Sequence, residues 1–307
     1  MKNTINFYYN IFLDELIKKD NCYYFYYGGD EYYFVPLNRP YDDVQSIYKL
    51  NLEMKKRRCL VHELVLNKDK SIITVVNGIS YVLIKLCKYK NDKVFLNDIN
   101  YIQNMTVNIE CDKSLVRNDW IKLWSEKIDY YEYQISQVGK KYPLLCDSLS
   151  YFIGMGENAI SYLVNNLDSK TNVNLVVSHK RIYQERGSLN FYDPLNFVVD
   201  SRVRDVAEFI KETFYNKTLN LYDLKSYFNM ANLTKNEYIL LLGRLLFPTY
   251  YFDIYDDIIN KGKSEELVIN IIDRTDEYES LLNTIYKFIL YEKKVRLEPI
   301  EWLQDKN

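Results

Sequence analysis

The chain has 307 residues, 48% of them hydrophobic, enough for one large domain or two lobes with a substantial core. Basic residues number 40 and acidic residues 42, so a net charge of -2 gives no electrostatic case for a nucleic-acid partner. The five cysteines (Cys22, Cys59, Cys87, Cys111, Cys146) are scattered, no C-x-x-C occurs, and there are two histidines. That argues against a disulfide framework or a zinc site and fits reduced thiols in a cytosol.

The first stretch, MKNTINFYYNIFLDELIKK, carries acids inside its apolar run and does not read as a signal peptide. NCYYFYYGG and EYYFVPL are two β-rich runs joined through Gly28, Gly29 and Asp30, which is hairpin chemistry. Over residues 42–57, Val44, Ile47, Leu50 and Met54 recur at helical spacing, with acids first and KKRR last. The basic run therefore reads as a helix end rather than a nucleic-acid patch. CLVHELVL, SIITVVNG and ISYVLIKLCKY follow as strands, the last two meeting at Asn77-Gly78.

From residue 95 the pattern turns helical. LNDINYIQNM is short. DWIKLWSEKIDYYEYQISQVGKKYP places Trp120, Leu123, Trp124, Ile128 and Tyr131 on one face, with Pro143 after its end. YPLLCDSLSYFIGMGENAISYLVNNL is a further helical region, with a break expected near Gly154 and Gly156. VNLVVSH and LNFVV read as short strands flanking a loop. Beyond Arg204, Val206, Ala207, Ile210 and Phe214 fit one helical stripe. The most apolar stretch, YILLLGRLLFPTYYF, is interrupted by Arg244 and Pro248 and is too short to cross a bilayer. The 31 tyrosines fit a codon bias shared with Asn, Lys and Ile, or a protein built for packed or cross-linked assemblies. No internal repeat or low-complexity linker occurs.

The order is a small β-rich lobe (1–92), then a larger helical lobe (93–307) with a hairpin-like insert. This is the layout of an α+β, protein-kinase-like fold. WSEKIDYYEYQI, YFIGMGENAISYL, VSHKR, PLNFVVDSRVRDVAEFI and GRLLFPTYYFDIY together resemble bacterial spore coat proteins of the CotS/YutH type. These are relatives of aminoglycoside and choline phosphotransferases. The likeness is more specific in the C-terminal two thirds than over the first ninety residues.

The resemblance implies a set of site positions. In the phosphotransferase relatives a loop reads His-Gly-Asp, followed five residues later by Asn, and a metal aspartate sits on the next strand. Laid on this chain, His179 takes the histidine position, Arg181 the catalytic aspartate, Arg186 the metal asparagine and Asn196 the metal aspartate. A guanidinium offers no acceptor and stays charged, so it neither takes a proton nor ligates magnesium. The amide of Asn196 is a far poorer magnesium ligand than a carboxylate. EYYFVPLNR offers Leu37, Asn38 and Arg39 near the place of the phosphate lysine, and no lysine. Glu53 reads as a solvated surface acid, and no G-x-G-x-x-G is present. Asp205 matches the aspartate that braces the loop from a following helix.

The expectation is a non-catalytic, kinase-like binding or assembly protein. It would need no cofactor, metal, nucleic acid or membrane. It would sit with other coat proteins in the mother cell and on the forming spore. The alternative is an active small-molecule kinase whose metal ligands have moved to Asp193 or Asp200, with Glu185 as base.

Overall fold

The computed structural model describes residues 1–89, 91–168, 173–185 and 187–304. These form two compact units, one of residues 1–116 with 175–200, the other of residues 117–174 with 201–307.

The first unit opens with helix α1 (Lys2–Tyr9) and strand β1 (Ile17–Lys19), neither of which the sequence pattern announced. Strands β2 (Cys22–Tyr27) and β3 (Asp30–Pro36) form the expected hairpin. Gly28 and Gly29 turn it at φ 59° and 83°, a conformation that glycine enters without a Cβ penalty. Helix α2 (Tyr41–Lys56) buries Val44, Ile47, Leu50 and Met54, as their spacing predicts. Its basic end is a helix terminus: Arg57 donates to the carbonyls of Met105 (3.4 Å) and Val107 (3.1 Å).

Strands β4 (Glu63–Val65), β5 (Ile73–Val76) and β6 (Ile79–Lys85) complete an antiparallel sheet in the order β1-β2-β3-β6-β4, with β5 also on β6. Of CLVHELVL, three residues are strand. The two faces of the sheet are distinct, because side chains alternate along each strand. Phe25, Phe34, Tyr81 and Leu83 pack with Ile5, Ile11 and Leu13 of the N-terminal segment. Val82, Ile84 and Leu64 are buried on the opposite face. There α2 lies against β4, where Asn51 donates to His62 O (2.8 Å) and accepts from Leu64 N–H (3.1 Å). Helix α3 (Leu96–Met105) and the hairpin of β7 (Leu175–His179) and β8 (Phe197–Ser201) belong to the same unit, with the short helix α6 (Gly187–Phe191) between those strands.

The second unit is helical. It contains α4 (Trp120–Val138), α5 (Pro143–Asn166), α7 (Val203–Tyr215), α8 (Leu221–Ala231), α9 (Lys235–Leu246) and α10 (Thr249–Lys261). Two larger-numbered pieces follow, α11 (Ile269–Ile272) and α12 (Thr275–Lys287), then the short α13 (Glu301–Gln304). On α4, Trp120, Trp124, Ile128 and Tyr131 are buried, but Leu123 is 40% exposed and lies off the stripe assigned to it. Helix α5 runs unbroken through Gly154 and Gly156. Gly156 is there for packing: a Cβ would come within 3.0 Å of Ile128 Cδ1. A buried ionic knot ties three helices. Glu208 meets Arg244 (3.0 Å) and Lys211 (3.2 Å), and Lys211 also donates to Thr249 Oγ1 (2.7 Å). No described helix is long and apolar enough to cross a membrane.

Candidate functional site

Strands β7 (LVVSH) and β8 (FVVDS) each centre on two valines and are buried almost throughout, the pattern of a strand covered on both faces. The end of α3 holds β7: Asn108 N–H donates to Leu175 O (2.9 Å) and Val177 N–H to Thr106 Oγ1 (3.0 Å). Val116 bridges Val199 in parallel. At the mouth of the hairpin, Lys180 N–H donates to Asn196 O (2.8 Å). The two segments that sequence reasoning placed together are therefore together.

His179 ends β7 with no exposed surface. Its Nε2 donates to Phe191 O (2.7 Å), since a carbonyl can only accept, and its ring stacks on Phe191 with centroids 4.3 Å apart. Arg181 is half-buried, and one guanidinium nitrogen donates to Lys180 O (2.7 Å). Asn196 Nδ2 donates to two carbonyls, Arg181 O (3.0 Å) and Asn190 O (3.3 Å), and so joins both ends of the intervening loop. Arg186 lies outside the described residues.

Asp193 precedes the short turn Pro194–Asn196 and accepts from Leu195 N–H (2.8 Å). The residue keeps some exposed surface, yet its carboxyl is enclosed, and burial pushes it up to about 6 against the opposing pull of Lys180, Arg39 and His179. Asp200 lies on β8 with no exposed surface, and Asp205 lies in the first turn of α7, in the other unit, 1% exposed. Among the described residues, no three of His, Cys, Asp and Glu gather as a metal-holding group.

Arg39 is the residue whose role sequence reasoning missed. It follows β3, its side chain is 1% exposed, and it reaches across 156 residues of chain. Its Nη1 donates to Leu195 O (3.2 Å) and Phe197 O (2.5 Å), and its Nη2 pairs with Asp43 (3.2 Å). Those two carbonyls flank Asn196. His62 was missed as well. Its N–H donates to Tyr192 O (2.9 Å), its Nδ1 accepts from Cys87 N–H (3.0 Å), and its Nε2 donates to Leu189 O (3.2 Å). It thereby joins β4, the end of β6 and α6. A lone histidine or arginine among apolar residues gives no signal of such long-range partners.

Residues 2–285 match the protein family described as "Spore coat putative kinase YutH". The chain belongs to the YutH family of spore coat proteins. The endospore coat-associated protein YutH of Bacillus subtilis (strain 168) is 30% identical over 207 residues, 60% of this chain. That match spans 61% of the length of the relative. An aminoglycoside phosphotransferase from Alicyclobacillus acidocaldarius is 10% identical and superposes with a TM-score of 0.63 over 92% of this chain and 94% of its own. The spectinomycin phosphotransferase APH(9)-Ia, solved with ADP and spectinomycin, is 10% identical with a TM-score of 0.58, over 86% and 89%. These likenesses show the fold: this YutH-family chain has the α+β, protein-kinase-like architecture of the phosphotransferases.

In protein kinases a glycine-rich loop covers the phosphates, a lysine on the third strand reaches them, and a helix glutamate holds that lysine. The first turn of the YutH-family sheet, between β1 and β2, is Asp20-Asn21 and contains no glycine. Strand β3 reads DEYYFVP and contains no lysine. Glu53 on α2 pairs with Lys56 (3.1 Å) and Arg57 (3.6 Å) of its own helix end. Magnesium does not fit at Asn196. The amide turns its donors to main-chain carbonyls, and the neighbouring carbonyls are taken by a guanidinium.

Proposed function

We propose that this chain is a non-catalytic, kinase-like member of the spore coat, acting by binding or assembly. Its place would be the mother cell and the forming coat, and its partners other coat proteins. The observation that carries the reading is Asn196 Nδ2 donating to Arg181 O and Asn190 O, beside Arg39 on Leu195 O and Phe197 O. Donors occupy the place where a phosphotransferase needs acceptors for its metal. In this reading His179, Arg181, Arg186 and Asn196 are degenerate catalytic positions kept for structure, and Asp205 braces the loop. In this reading the small lobe is residues 1–92 and the large lobe 93–307, a division that differs from the compact units, which add 93–116 and 175–200 to the sheet. Family membership and the name of the B. subtilis relative support the coat assignment.

The test is magnesium-ATP turnover, together with a thermal shift. The unmodified chain is expected to give neither. Arg181→Asp with Asn196→Asp is expected to give no turnover either, since the lysine and the glycine loop are still missing. Turnover by the unmodified chain that is lost in Asp193→Asn or Asp200→Asn would replace this reading with that of a kinase with relocated ligands. Asp193 already spends an oxygen on Leu195 N–H, which counts against it.

A further inference from the structure

The face of the sheet turned toward α2 carries a row of side chains across five strands. The register runs Ile17, Tyr24, Tyr33, Ile84, Leu64. Side chains directly opposite one another in adjacent strands share a face. At the α2 end the row is closed, with Ile84 0% and Leu64 3% exposed. At the β1 end it is open, with Ile17 55% exposed. Between them, Tyr24 and Tyr33 are half-buried and stacked on each other, centroids 4.7 Å apart and planes 30° apart.

This is the face on which a kinase holds its nucleotide. The phosphate lysine of the third strand meets the glutamate of the following helix, so both point into the space between sheet and helix. Here β3 offers Glu31, Tyr33 and Val35 to that side. The phenol of Tyr33 is raised far above its ordinary value by burial, with Cys22 and Tyr24 beside it. Past the end of β6, Tyr89 stacks on Tyr192 with centroids 6.0 Å apart.

We propose that the chain closes its own nucleotide face, with stacked Tyr33 and Tyr24 filling the place of the base. This rests on the non-catalytic reading of the site and extends it: nucleotide is excluded by side chains, not only by missing phosphate and metal ligands. A ring cannot enter a face already packed with rings unless they move or are cut away, and a cavity left by truncating a large buried side chain can take up a small apolar or aromatic molecule.

The experiment titrates adenosine without metal into the unmodified chain, Tyr33→Ala, Tyr24→Ala and Tyr26→Ala, followed by calorimetry. Adenosine has no phosphate, so the missing lysine and metal ligands do not enter the result. The unmodified chain and Tyr26→Ala (Tyr26 is 70% exposed) are expected to show no binding. Tyr33→Ala is expected to bind at least about tenfold more tightly than the unmodified chain. If circular dichroism shows Tyr33→Ala unfolded, Tyr24→Ala decides by the same readout. A folded variant with no gain overturns the proposal, as does adenosine binding by the unmodified chain or an equal gain in Tyr26→Ala. Adenosine binding by the unmodified chain without ATP turnover would sink this proposal and leave the non-catalytic reading standing, whereas magnesium-ATP turnover by the unmodified chain would sink that reading.

Discussion

Asn196 reaches back across the loop after β7 and donates its amide hydrogens to the main-chain oxygen of Arg181, 3.0 Å away. The same nitrogen also serves Asn190 O, 3.3 Å away. An aspartate has the same shape and can do neither, because an ionised carboxylate only accepts.

Asn196→Asp is therefore expected to destabilise the protein by about 1–3 kcal/mol, the cost of leaving buried acceptors unmet. A carboxylate facing two carbonyls adds repulsion to that cost. Urea denaturation measures the midpoint. An unchanged midpoint would mean that the amide contributes nothing to holding the loop.

Arg39→Ala removes donors from Leu195 O and Phe197 O and strands Asp43. Breaking a buried pair from one side costs roughly 3–5 kcal/mol. Arg39→Lys should recover only part of it, because an ammonium cannot reproduce the planar fork. Denaturation of both variants gives the ranking, and a lysine variant as stable as the parent would refute the role of the fork.

His62 predicts acid sensitivity. Burial holds its imidazole down to about 4, against 6.5 in the unfolded chain. Between those values the unfolded state binds the proton and the native state does not. The stability contribution is thus complete above pH 6.5 and is lost as pH falls through about 4. The total is on the order of 3 kcal/mol. Denaturation midpoints from pH 7 to 4 should fall more steeply in the parent than in His62→Gln.

Gly243 on α9 lies so close to α5 that a Cβ would sit 2.7 Å from Leu163 Cγ. Gly243→Ala is expected to cost about 1–3 kcal/mol by overpacking, despite the better helix propensity of alanine. Adding Leu163→Ala should offset part of that cost. Strict additivity in a double-mutant cycle would argue that the two residues do not touch.

Asp205→Ala is expected to lower stability by about 1–3 kcal/mol without any change in an activity. The residue is 1% exposed in the first turn of α7, and its bracing role is part of the proposed function. Chemical denaturation checks it. A parental midpoint would remove the brace from the reading.

Local patterns made much of the fold legible. The β2–β3 hairpin, the α2 stripe and the pairing of β7 with β8 follow from alternation, turn residues and helical spacing acting over a few neighbours. The same local reasoning expected a break in α5 at Gly154 and Gly156, because a glycine kept for a close approach to Ile128 looks like a glycine that ends a helix. It also found no sign of α1 and β1, whose sequences are short and mixed. At the site, the missing lysine was legible as an absence. The reason Asn196 is an asparagine was not, since its partners are main-chain oxygens that no sequence displays. Arg39 was noted only as a residue that is not lysine, and its partners lie 156 and 158 residues away.

That separation bears on how the chain folds. Loop closure over so many residues is slow, and non-local contacts set the rate of small domains more than local ones do. The sheet is synthesised first, yet its unit is completed by residues 175–200, with 58 residues of the other unit, 117–174, made in between. On the ribosome the sheet therefore waits for the hairpin, with Asp43 and Cys87 in place but Arg39 and His62 still lacking their partners at Leu189, Tyr192, Leu195 and Phe197. During that interval a chaperone, or a neighbouring chain, has its best opportunity to bind it.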